Sequence, residues 1–70
     1  MQRVCGRNIH VFRTSLMLTQ EELAEKAGVS QQAISKIERG ISAVSLETAC
    51  KIAKALGISV AQIYTLNLDV

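Results

Sequence analysis

Five side chains within one short stretch carry the chemistry of this sequence: Gln31, Gln32, Ser35, Lys36 and Arg39. Wound as a helix, they fill an arc of about 140°, while Ala33, Ile34 and Ile37 fall within about 100° on the other side. A glutamine amide donates and accepts a hydrogen bond at once, which matches N6 and N7 of adenine. A lysine ammonium reaches the O6 and N7 acceptors of guanine. Arg39, at the far end of the face, is better placed for a phosphate than for a base. Such a face recognises; it does not make or break bonds. For Ser35 the ordinary reading, a solvated hydroxyl, is kept.

Residues for reaction chemistry are missing by comparison. An enzyme needs a nucleophile with its base, paired carboxylates, a phosphate loop or metal ligands. His10 is the single histidine, with no Asp, Cys or second His at ligand spacing, and reads as a surface side chain. Glu21, Glu22 and Glu25 gather on one solvated helix face, and the glycines are scattered as helix stops. Cys5 and Cys50 are too few and too far apart for a zinc site or a disulfide framework, and both read as small hydrophobes in or beside the core. The expectation is no catalytic residue, no metal, no cofactor and no small-molecule ligand.

The recognition face must be held by its neighbours. Thr19 is a good N-cap, and Glu22 three residues on completes a capping box for a helix from Gln20. Leu23, Ala24 and Ala27 share its apolar face. Gly28 suits the left-handed position that stops a helix, Val29 plugs the turn, and Ser30 caps the next helix. With only Gly28, Val29 and Ser30 between them, the two helices must cross steeply, approaching closely near Ala24. Residues 20–39 therefore read as a helix-turn-helix.

This stretch, Q-E-E-L-A-E-K-A-G-V-S-Q-Q-A-I-S-K-I-E-R, resembles the helix-turn-helix of the Cro/C1-type (XRE) family of bacterial and phage regulators. The similarity continues through S-L-E-T-A-C-K-I-A-K-A-L-G-I-S at Ser45 to Ser59 and back to R-N-I-H-V-F-R at Arg7 to Arg13. The resemblance implies an all-α, five-helix, lambda-repressor-like DNA-binding domain whose second and third helices form the motif. It also implies a sequence-specific transcriptional regulator of double-stranded DNA, a repressor or autoregulator, reading the major groove with its third helix. A purely protein-binding helical module is the alternative; it would leave the amide-and-cation face unexplained.

Seventy residues at a net charge of +2 allow one small domain, 1–70, with a thin core. Scarce aromatics and the lack of proline favour helices over a sheet. No apolar run approaches a membrane span and no signal segment opens the chain, so the expected location is cytoplasmic. A first helix from Arg3 or Arg7 to Ser15 turns Cys5, Ile9, Phe12 and Leu16 inward. Met17 stands where the family often has glycine; a left-handed backbone there would cost methionine about 1 kcal/mol. After a loop from Ile41 to Val44, Ser45 caps a fourth helix, Leu46 to Leu56, with Leu46, Ala49, Ile52, Ala53 and Leu56 inward. Ser59 and Gln62 form a second capping box for a fifth, from Val60 to about Leu66, followed by a tail, 67–70.

Site expectations follow. Gln31, Gln32 and Lys36 read bases; the two glutamines match those with which some phage repressors of the family contact bases, whereas Lys36 departs from their pattern. Gln20 and Thr19, at the start of the second helix, and Arg39 hold phosphate. Glu38 lies at the edge of the apolar arc, and the resemblance implies a structural ion pair between it and Arg13. Val60, Ile63, Tyr64, Leu66 and Leu68 are more apolar groups than one short helix can turn inward, so they are expected to form a homodimer interface. A two-fold pair would require a near-palindromic operator.

Overall fold

The computed structural model describes residues 2–65, which form five helices: α1 (Gln2–Ser15), α2 (Gln20–Ala27), α3 (Gln31–Glu38), α4 (Leu46–Leu56) and α5 (Val60–Tyr64). Local chemistry sets the boundaries. The Thr19 hydroxyl accepts from the Glu22 N–H at 3.0 Å while the Glu22 carboxylate accepts from the Thr19 N–H at 2.8 Å. Ser30, Ser45 and Ser59 cap α3, α4 and α5 in the same way, and Ser59 with Gln62 closes a second capping box. Each cap satisfies N–H groups that the first helical turn leaves without partners.

Small and branched apolar residues let these helices approach. Ile9, Leu23, Ile34, Ile52 and Ile63 are fully enclosed, each contributing about 1.5–3 kcal/mol by leaving water. Cys5, Ala24, Ala27, Ile37, Ala49, Ala53 and Leu56 complete the core. α2 and α3 pack on each other, with α1 against α3 and α5 and α4 against α2. Gly6 permits the tightest approach: a Cβ there would sit inside the Ile37 carbonyl oxygen. It is therefore a packing glycine inside α1, not one of the helix stops. Asn8 ties α1 to α5, its buried amide donating to the Ile63 and Thr65 carbonyls at 2.8 Å each.

Several expectations are corrected here. Leu16 is 51% exposed because α1 ends at Ser15 and the turn carries it off the inward stripe. Leu46 is 67% exposed. It opens α4 at the edge of the apolar arc, with Cys50 one turn further on the same side, and Cys50 is likewise exposed rather than core-flanking. Ile63 is fully buried and is thereby withdrawn from the expected dimer surface, whereas Val60 and Tyr64 are half-buried, packed on the core with part of each still exposed. Leu66, Leu68 and the 67–70 tail lie outside the described residues.

Met17 has φ 60, the left-handed region, and is the one non-glycine residue described with positive φ. Its N–H donates to the Thr14 carbonyl and the Leu18 N–H to the Arg13 carbonyl, which together close α1. Gly28 closes α2 by the same bonding, at φ 72. Methionine is held in a conformation that glycine adopts without steric cost, and its side chain, 89% exposed, returns little packing. Met17→Gly should raise stability by about 0.5–1 kcal/mol after allowing for the freer unfolded chain, moving Tm up by a few degrees. An unchanged or lowered Tm in a thermal melt would show that the turn carries no such strain.

Candidate nucleic-acid interface

Ser30 fixes the start of α3 through its hydroxyl, 3.1 Å from the Ala33 N–H. Ile34 and Ile37 anchor the buried side. With that side fixed, Gln31, Gln32 and Lys36 stand exposed together on the opposite one, and Ser35 is half-buried. An open groove of about 320 Å³ beside them is lined by Gln32, Lys36, Ser42, Ser45 and Thr48, where the loop leads into α4. Arg39 is exposed at the C-cap of α3. The structure thus brings the three base-reading candidates onto one rigid face, with Arg39 at its far end.

The phosphate candidates on α2 are more encumbered. Gln20 is half-buried and its side-chain Nε2 donates to Glu38 Oε1 at 3.1 Å, leaving one amide hydrogen for a ligand. Thr19 has its N–H and a hydroxyl lone pair engaged in the capping box, so its O–H is what it can offer. Glu21 and Glu22 in the first turn also set negative charge beside this helix end, which opposes an incoming anion.

Behind this face lies a polar knot. Arg13 Nε donates to Glu38 Oε2 at 2.6 Å and Nη2 to Oε1 at 3.1 Å, a two-pronged fork, while Nη1 donates to the Leu18 carbonyl at 2.7 Å. The side chains are only 10% and 4% exposed. His10, on the outer edge, brings Nδ1 to 3.1 Å from Glu38 Oε1 and 3.2 Å from Arg13 Nη2. Burial pushes the Glu38 carboxyl up, but hydrogen bonds from Arg13, His10 and Gln20 outweigh it and hold the group below its ordinary value of 4.5. Among the described residues no buried side-chain nitrogen or oxygen lacks a partner. Sequence reasoning missed His10 and Gln20 in this knot. The signal for His10 was present: it lies three residues before Arg13, hence on the same side of α1.

Two limits on chemistry hold among the described residues. No cluster of three His, Cys, Asp or Glu side chains is arranged to hold a metal ion. No helix is long and apolar enough to cross a membrane.

Glu38 contributes to stability in a pH-dependent way. Its folded value is lower than its unfolded one, so the contribution is present above about pH 4.5 and is lost as pH falls through the folded value. Arg13→Met should strand a buried carboxylate and cost about 3–5 kcal/mol near neutral pH, a large share of a small domain's stability. That cost should shrink below pH 4, where the carboxyl takes a proton. Glu38→Gln should flatten the acid limb of the Tm-against-pH curve. Melts showing both variants parallel to the parent across pH would contradict a structural role for the pair.

With this geometry in place, comparison with known proteins locates the chain. A family model described as helix-turn-helix matches residues 9–63. An uncharacterised helix-turn-helix-type transcriptional regulator of Methanocaldococcus jannaschii is 47% identical over 58 residues, covering 83% of this chain and 88% of its own. The restriction-modification controller protein C.AhdI from Aeromonas hydrophila superposes with a TM-score of 0.86 at 32% identity, over 89% of this chain and 94% of that one. SinR, a master regulator for biofilm formation solved in complex with DNA, gives 0.84 at 32% identity, over 87% and 98%. With a family match across most of the chain and relatives that align over most of both lengths, this chain belongs to the helix-turn-helix family of Cro/C1-type regulators.

Proposed function

We propose that this DNA-binding transcriptional regulator acts as a homodimeric repressor or autoregulator at a near-palindromic operator, in the cytoplasm where its DNA target lies. The observation that carries the reading is the exposed set Gln31, Gln32 and Lys36 at the start of a helix whose other side is locked into the core. A helix entering the major groove presents its first turns to base edges, and these three supply amide and ammonium donors there. Arg39, and the remaining amide hydrogen of Gln20, meet the backbone on either side. The chain is a regulator, not an enzyme.

The dimer surface needs a different composition from the one the sequence alone indicates. Ile63 is enclosed and cannot meet a partner. The Tyr64 hydroxyl lies 3.5 Å from the Val44 carbonyl, two residues before the exposed Leu46, so the end of α5 adjoins the start of α4. Half-buried Val60 and Tyr64, with Leu46, offer the apolar area for a two-fold contact. Such pairing sets two α3 helices roughly 34–36 Å apart, one turn of B-DNA.

Binding-site selection followed by titration tests the readout. Gln31→Ala or Gln32→Ala should cost about 1–3 kcal/mol on the selected site and relax the choice at one base pair, with the salt slope nearly intact. Arg39→Ala should weaken all duplexes alike and lower the salt slope by about one per subunit. If the glutamine variants lose affinity equally for every sequence, these side chains do not read bases.

For the dimer, sedimentation at tens of micromolar is the measurement. Tyr64→Asp should shift the protein towards monomer and weaken operator binding; a parent protein that is already monomeric there, on and off DNA, would exclude the two-fold arrangement.

A further inference from the structure

Another open groove, about 440 Å³, lies between the end of α2 and the outer side of α4, lined by Lys26, Ala27, Lys51, Lys54 and Ala55. Ala27 is buried and Ala55 half-buried, so the floor is apolar and narrow. The three lysines are exposed, and none enters an ion pair among the described residues. None of these residues lines the groove beside the base-reading face.

Acidic side chains border this groove along α2. At about 100° per residue, Glu22 lies about 40° further round α2 from Lys26, Glu25 about 100° and Glu21 about 140°. All three turn away from the side buried by Leu23, Ala24 and Ala27. Glu22 is engaged with the Thr19 N–H, whereas Glu21 and Glu25 are exposed and enter no ion pair among the described residues. On α4 the wall is basic; Glu47, one turn before Lys51, lies outside the lining. The outer sides of α2 and α4 thus form one face, with an acidic strip on one helix, a basic strip on the other and the groove between.

We propose that this face pairs with the same face of a second copy of this chain, about a two-fold axis running along the groove. The Glu21 and Glu25 strip of each molecule then meets Lys51 and Lys54 of the other. A half-turn about that line exchanges the two sides, so each strip faces its opposite and every contact occurs twice. The inference goes beyond the regulator reading and calls on neither α3 nor the apolar contact of Val60 and Tyr64.

The arrangement of charge also selects the occupant. Duplex DNA is uniformly negative, and the glutamates beside the lysines repel it. An acidic peptide meets the same conflict. A second copy carries acid and base in matching order. Exposed ion pairs contribute little singly and are screened by salt. The contact is therefore weak, with a Kd on the order of 0.1–1 mM, and salt dependence is its signature.

Light scattering from the full chain, up to about 1 mM protein and at about 20 and 500 mM salt, tests this. The average mass should climb towards double with concentration at low salt and stay level at high salt. Lys51→Glu with Lys54→Glu makes the face acidic throughout, and Glu21→Lys with Glu25→Lys makes it basic throughout. Each double variant alone should lose the rise, and an equimolar mixture should regain it. Lys51→Gln with Lys54→Gln, a milder change to the helix, should weaken association at least threefold. A level mass for the parent at low salt overturns the inference without any variant. So does a rise that is equal at both salts, which belongs to an apolar contact, or one that survives Lys51→Gln with Lys54→Gln. A mixture of two cooperatively melting variants that stays apart overturns it too. If the parent binds a poly-glutamate peptide through these lysines without rising in mass, the face takes an acidic partner and the inference falls. A lowered salt slope on duplex DNA in Lys51→Gln with Lys54→Gln, again without a rise in the parent, gives the face to DNA instead.

Discussion

The buried fork between Arg13 and Glu38 is the constraint on which the rest of this small structure depends. One guanidinium joins three parts of the chain: its own helix, the Leu18 carbonyl in the turn after it, and the last residue of α3. Gln20 adds the start of α2 to the same carboxylate. Charges this well enclosed persist only when their polar atoms find partners, and among the described residues no buried side-chain nitrogen or oxygen lacks one, the partners here coming from α1, α2 and α3. The end of the reading helix is therefore fixed from behind, by hydrogen bonds with direction, where an apolar contact would leave it free to slide.

Two further contacts tighten the same region. Gly6 lets the backbone of α1 press against the carbonyl of Ile37, one residue from Glu38. Asn8, two residues on, holds the carbonyl end of α5. α1 thus braces α3 through its glycine and its arginine and α5 through its asparagine. The side of α3 that points away from all this is left to solvent, which is where Gln31, Gln32 and Lys36 stand. The cost of holding that face in place is met largely by side chains on other helices.

Charge is arranged to the same end. Acidic side chains are concentrated on α2, where Glu21 and Glu22 suit the positive end of the helix dipole. Arg7 and Arg39, which enter no ion pair among the described residues, flank the end of α3 instead. A net charge of only +2 conceals this separation. An approaching polyanion would be turned towards α3 and the outer edge of α1, and away from the exposed side of α2.

Local rules decided what the sequence shows by itself. Caps at Thr19, Ser30, Ser45 and Ser59, the stop at Gly28 and the apolar spacing within each helix depend on neighbours a few residues apart, so the five helices and the exposed polar face of α3 were legible from spacing alone. Contacts between distant residues were not. Glycine at position 6 looked like another helix stop because its reason, the Ile37 carbonyl, lies on another helix. Ile63 looked like surplus apolar surface because periodicity cannot say how much core five helices will share. His10 looked idle because its partner is twenty-eight residues away. Leu16 and Leu46 matched the apolar pattern yet sit where a helix ends or begins, and there only the neighbouring elements determine whether a side chain is covered. A sequence specifies which faces want burial; tertiary packing decides which of them obtain it, because burial is a property of the neighbours that arrive.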